Sequence, residues 1–199
     1  MKIVVAAVPG SGKTTILNMI KEKMPEVKIV SEGDLIFEID KKKFKIDKRD
    51  EMRKRLKMED QRYVQEEAAK EISAMKDKII LLDTHVSIET SEGYFPGLSD
   101  RTIAIIKPDI IVLLEFNPKD ILERRKKDTS RQRDLDSVEK IEQHQKINEN
   151  FAAAAANYAE CPLEIISLRT KQKKPFEHAK IAADKIISLI EEEEKWKKR

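Results

Sequence analysis

The sequence concentrates its chemistry in one short stretch, Ala7-Val8-Pro9-Gly10-Ser11-Gly12-Lys13-Thr14-Thr15. It follows an apolar run, Ile3 to Val8, and opens a segment of helical character, Lys13 to Met24. A loop that cradles phosphate needs glycines, so that successive backbone N–H groups can turn towards the oxygens. It also needs a helix N-terminus whose dipole favours anions, and a lysine to reach the β- and γ-phosphates. Gly10, Gly12 and Lys13 supply these, and Thr14 offers a hydroxyl to Mg²⁺. Pro9, Gly10, Ser11, Gly12, Lys13, Thr14 and Thr15 are therefore the expected nucleoside triphosphate-binding residues of a P-loop. Ala7 stands where the usual pattern has its first glycine, which is tolerable only if its φ is negative. Asp83 ends a second aliphatic run, Ile79 to Leu82, where a carboxylate can hold the metal through water. His85 either orients a substrate phosphate or packs under the loop.

The surrounding elements must bring these residues together. Ile3 to Val8, Ile79 to Leu82, Ile110 to Leu114 and Leu163 to Leu168 read as buried parallel strands, and Val27 to Val30 as a weaker fifth. Ser31, Gly33 and Asp34 read as a turn after it. Helical stretches separate the strands: Lys13 to Met24, Arg49 to Met75, Asp100 to Ile106, Lys119 to Lys127, Val138 to Ala159 and Phe176 to Glu194. The alternation predicts an α/β fold, a parallel sheet with helices on both faces. Lys41 to Lys57 and Arg124 to Asp136 carry more Arg and Lys than a crossover needs. They read as insertions near the ends of the strands, where open sheets bind ligands.

Composition narrows the classes. At 199 residues one domain is expected, and 40 Lys+Arg against 37 Asp+Glu leave a net charge of only +3, so the surface is rich in both signs rather than polybasic. Phe37 and Phe44 are sparse as stacking platforms, and no nucleic acid partner is expected. Cys161 is the single cysteine and no apolar run approaches the ~20 residues of a membrane span. A cytoplasmic protein without a membrane partner is the expectation.

Several segments together resemble a known family. V-P-G-S-G-K-T-T, Gly33-Asp34-Leu35, Lys48 to Lys54, Leu82-Asp83-Thr84-His85, Glu92 to Leu98 and Arg131-Gln132-Arg133-Asp134 occur in the order seen in archaeal adenylate kinases. The D-T-H segment followed by G-Y-x-P-G-L is the most specific, since a P-loop alone is shared by unrelated enzymes. The resemblance implies a P-loop NTPase-type five-stranded parallel sheet with helices on both faces, a monophosphate-binding insertion and a short lid. One domain would span 1–199, with core 1–30, 76–127 and 137–199, insertion about 31–75 and lid about 128–136. It implies a reversible transfer from ATP to AMP giving two ADP, with Mg²⁺, in a homotrimer. Arg49 and Arg53 would lie near the acceptor phosphate, with Gly33, Asp34 and His85 in the acceptor site. Arg124, Arg131 and Arg133 would clamp the donor phosphates, and Asp134 and Asp136 would pair with them or touch ribose. The expected catalytic set is Lys13, Arg53, Asp83, Arg124, Arg131 and Arg133. Arginine suits such roles because its planar fork holds two oxygens at once. Glu89 and Glu149 stand where the family has basic residues. Glu89 is expected near the acceptor phosphate, paired with Arg49 or Arg53. Another small-molecule kinase, or a nucleotide-dependent switch protein, are the competing readings.

Overall fold

The computed structural model of the chain describes residues 1–46, 57–90, 92–127 and 137–196. Five strands form one parallel sheet: β1 (Lys2–Ala6), β2 (Lys28–Ser31), β3 (Ile80–Thr84), β6 (Ile110–Phe116) and β7 (Leu163–Leu168). Their order is β2-β3-β1-β6-β7. The chain leaves β1 for one edge of the sheet and later returns to fill its other side, so the order reverses beside β1. Such a reversal opens a crevice at the carboxyl ends of the strands.

Alternation along β1 divides the core. Ile3 and Val5 face a layer made with Ile16, Leu17 and Ile20 of α1 (Lys13–Lys23) and Ala183, Ile186 and Ile190 of α7 (Glu177–Trp196). Val4 and Ala6 face the opposite layer. There Ala69 and Ile72 of α3 (Met58–Ala74), Ile103 and Ile106 of α4 (Asp100–Ile106) and Ala152, Ala155 and Ala156 of α6 (Val138–Ala159) cover the sheet. The alanine run is buried on one side of α6, which lets that helix lie close to the strands. Burial on both faces is why these strands are continuous aliphatic runs.

Three elements depart from the sequence expectation. Ser31 to Asp34 is not a turn: α2 (Glu32–Phe44) starts at once after β2, with Ser31 as its N-cap accepting from the Asp34 amide at 3.3 Å. Lys41 to Phe44, expected as the start of an insertion, closes this helix. The expected helix Arg49 to Met75 is not continuous, because Lys57 has φ −69 and ψ 160 and caps α3 from outside. A two-stranded antiparallel hairpin, β4 (Ser87–Thr90) and β5 (Gly93–Pro96), follows β3 and was not anticipated. A further helix, α5 (Pro118–Lys127), runs from β6 to the segment expected as the lid. That segment, residues 128–136, lies outside the described residues, as does 47–56.

Candidate active site

The loop between β1 and α1 is shaped by glycine. Gly12 caps α1 with φ 95, a left-handed conformation that a side chain resists. Ala7, the departure at the loop entrance, has no positive φ and is fully buried, so its methyl group costs the loop nothing in backbone strain. The Ser11 amide donates to the Val8 carbonyl at 3.3 Å and the Thr15 amide to the Gly12 carbonyl at 3.1 Å, closing the turn onto the helix. Thr15 thus spends its backbone donor on α1, whereas Thr14 is exposed to the cavity above.

That cavity holds about 690 Å³. One wall is the loop, Val8 to Thr14, with Arg124. Another part of the lining is the start of α2, Ser31 to Asp34, with Ile36. Asp83, Thr84 and His85 form its floor, and Ile88 and Gly97 of the hairpin region close one end. The expected residues Pro9, Gly10, Ser11, Gly12, Lys13, Thr14, Gly33, Asp34, Asp83, His85 and Arg124 therefore all reach one space. Arg49, Arg53, Arg131, Arg133, Asp134 and Asp136 lie outside the described residues.

Lys13 is buried, and its ammonium rests against the ends of β1 and β3. It meets Asp83 Oδ1 at 2.6 Å and donates to the carbonyls of Thr84 and, at 3.4 Å, Val5. Burial pulls its pKa below the usual lysine value, opposed by the charges of Asp83 and Glu32. Asp83 and the Thr14 hydroxyl are hard oxygen donors beside the same loop. Among the described residues no three His, Cys, Asp or Glu side chains gather as a metal cage. The pair fits a Mg²⁺ ion that keeps most of its shell as water and phosphate oxygen.

His85 Nδ1 lies 2.7 Å from the Ala7 carbonyl and so carries the proton it donates there. It packs under the loop, one of the two roles left open by the sequence, and also lines the cavity. Two arginines at the end of α5 hold the loop from above. Arg124 Nη1 donates to the Ser11 carbonyl, its guanidinium 5.1 Å from the Phe116 ring, and burial lowers its pKa. Arg125, missed in the sequence, donates Nε at 2.9 Å and Nη2 at 2.7 Å to the Pro9 carbonyl. Gln145 of α6 steadies the same corner by bonding both the amide and the carbonyl of Phe116 at 2.9 and 3.0 Å.

Of the two family departures, Glu89 lies on β4 opposite Tyr94. Its neighbour Ile88 faces the cavity, and the pleat turns Glu89 to the other side. Glu149 sits on α6 in a cluster with Glu115, Glu142 and Arg169. Arg169 Nη1 reaches Glu142 at 2.7 Å and its Nε reaches Glu115 at 3.2 Å, with Glu149 at 3.9 Å from Nη2. A hydrogen bond shared with Glu115 raises the Glu149 pKa. Glu32, a second missed residue, is the most enclosed acid of the cavity wall and bonds Thr84. Burial lifts its pKa to about 7, against the pull of the Thr84 hydrogen bond and the Lys13 charge.

The chain is similar to known proteins over nearly its whole length. The AAA domain family matches residues 6–142. The adenylate kinase of Pyrobaculum aerophilum is 54% identical over 191 residues, covering 96% of both chains. That of Thermoplasma acidophilum is 40% identical, covering 96% of this chain and 98% of its own. Among solved structures, the shikimate kinase of Acinetobacter baumannii in complex with shikimate is 18% identical with a TM-score of 0.60, covering 96% of this chain and 93% of its own. That of Bacteroides thetaiotaomicron is 13% identical at the same TM-score, covering 96% and 98%. At such identities the structural likeness speaks for the fold alone. The phosphate cradle, the Asp83 floor and these full-length relatives lead to one conclusion: the chain belongs to the adenylate kinase family.

Proposed function

We propose that the chain catalyses the reversible transfer of the terminal phosphoryl group of ATP to AMP, giving two ADP. The observation that carries this is the single cavity lined both by a phosphate cradle and by the N-terminal turn of α2. A phosphate oxygen of AMP attacks the γ-phosphorus, and the bond from that phosphorus to the β-bridging oxygen breaks, leaving ADP on both sides. Such transfer is promoted by positioning and by cations on the equatorial oxygens. The backbone of Pro9 to Thr14 holds the donor phosphates, and Lys13, braced by Asp83 and the Thr84 carbonyl, extends its charge to them. Arg124 stands above the loop to meet the same charge. Thr14, and Asp83 through water, would hold Mg²⁺, which neutralises phosphate charge when bound.

On the acceptor side, Gly33, Asp34 and His85 border the cavity, and Arg49 and Arg53 would supply the cations for the AMP phosphate. Residues 31–75 would act as the acceptor insertion and 128–136 as a lid, with Arg131 and Arg133 closing over the donor. The protein would work in the cytoplasm as a homotrimer, which light scattering of the purified chain tests. No helix among the described residues is long and apolar enough to cross a membrane.

The deciding experiment measures ADP formed from Mg-ATP with each nucleoside monophosphate in turn. The expected result is AMP-dependent ADP production that Lys13→Ala lowers by about a hundredfold or more while the fold is kept. Release of inorganic phosphate without an acceptor would instead make the chain a nucleotide-driven switch.

A further inference from the structure

Glu32 places an acid where the fold gives it little reason to be. It is the first residue of α2 and only 2% exposed. Its Oε2 accepts a hydrogen bond from the Thr84 hydroxyl. Its Oε1 is buried without a hydrogen-bond partner. An unsatisfied buried oxygen costs stability, so fold stability does not account for this residue.

Its neighbours suggest what does. Thr84 is gripped at both ends, its hydroxyl by Glu32 and its carbonyl by the Lys13 ammonium. Asp83, next to it, holds the same ammonium at 2.6 Å. The parallel register sets Ser31 opposite Asp83, which brings the next residue of the chain, Glu32, over Thr84. One threonine thus joins the first turn of the acceptor-side helix to the lysine of the donor loop. Glu32 and Lys13 also feel each other's charge directly.

We propose that Glu32 is a positioning residue for phosphoryl transfer, which holds the Thr84 peptide in place and through it sets where the Lys13 ammonium rests. The inference depends on the transfer reaction proposed above. In this role Glu32 touches neither nucleotide. It fixes the direction of the Thr84 carbonyl, against which the ammonium stays aligned while its charge meets the donor phosphate. The effect falls on the chemical step and not on nucleotide affinity.

The test is a double-mutant cycle between Glu32→Ala and Thr84→Val, read in single turnovers so that product release does not mask the transfer. Each single change should slow the transfer about tenfold, with KM for ATP and AMP within about twofold, and the double variant should be no slower than either single. Glu32→Gln keeps an acceptor for the hydroxyl and Thr84→Ser keeps the hydroxyl, so both should stay within about threefold of the parent protein. If Glu32→Ala does not fold, Glu32→Met, which fills the same volume without an oxygen, takes its place. A raised KM for AMP with an unchanged transfer rate would make Glu32 an acceptor contact and overturn the proposal. Losses that multiply in the double variant, or no loss at all, would overturn it equally. The parent protein is the control: if it forms ADP from ATP and AMP, failure of the cycle removes this inference alone, and if it does not, the transfer reading falls with it.

Discussion

At the scale of single residues, Glu32 makes stability depend on pH in an uncommon direction. A carboxyl raised from its ordinary 4.5 to about 7 keeps its proton longer in the folded chain than in the unfolded one. Below both values the two states bind the proton alike. As pH rises from 4.5 through 7 the unfolded state releases it first, so folding becomes less favourable across that window. The gap corresponds to roughly 3 kcal/mol lost by pH 8. Glu32→Gln carries no such proton, so denaturant titrations from pH 4 to 8 should show the parent protein falling relative to this variant. Parallel curves would mean that the acid titrates normally. This residue was not legible in the sequence, because its partner Thr84 lies 52 positions away and only the register of β2 on β3 joins them. Lys13, Thr14 and Asp83 were legible for the opposite reason: each sits at a fixed step after an aliphatic strand, and the strand end decides where the side chain points.

At the scale of elements, the hairpin end is pinned by contact and not by side-chain packing. A Cβ on Gly97 would lie 1.8 Å from the His85 carbonyl oxygen and 2.8 Å from its carbon, so the backbone itself is in the way. The Gly97 amide donates to the Val86 carbonyl at 2.9 Å, which fixes the approach. Gly97→Ala should therefore cost about 2–4 kcal/mol, because the residues that must give are backbone. Since His85 and Gly97 both border the cavity, KM for AMP should rise in the same variant, and steady-state kinetics beside a melting curve checks both. A neutral result would show that the hairpin shifts freely. The parallel strands were readable because burial on both faces makes them unbroken aliphatic runs. The hairpin was not, since four-residue strands with Gly93 and Pro96 at the ends of one of them give no period to follow. For α2 a signal existed and was outweighed. Ser31 as a cap, Glu32 and Asp34 in the first turn and Lys41 to Lys43 in the last match the helix dipole, yet Ser, Gly and Asp together read as a turn. Arg125 was hidden among four consecutive basic residues of α5, where nothing local marks the one that faces inward.

At the scale of the whole molecule, the phosphate cradle after β1 and the start of α2 after β2 both line one cavity at the carboxyl ends of the strands. If ATP and AMP occupy separate walls, each stabilises the folded chain independently by an amount set only by its own concentration and affinity. At a hundred times its dissociation constant, one ligand adds about 2.7 kcal/mol. For a chain of this length that is a rise in Tm of roughly 5–10 °C. A non-transferable ATP analogue with Mg²⁺ and AMP should therefore raise Tm together by about the sum of their separate shifts, as two sites without competition require. Lys13→Ala should reduce the analogue's shift and leave that of AMP nearly intact, because Lys13 belongs to the cradle wall. Calorimetry of the four combinations decides it. A joint shift no larger than the greater single one would mean that both nucleotides compete for the same cradle, and an acceptor site on the α2 wall would have to be abandoned.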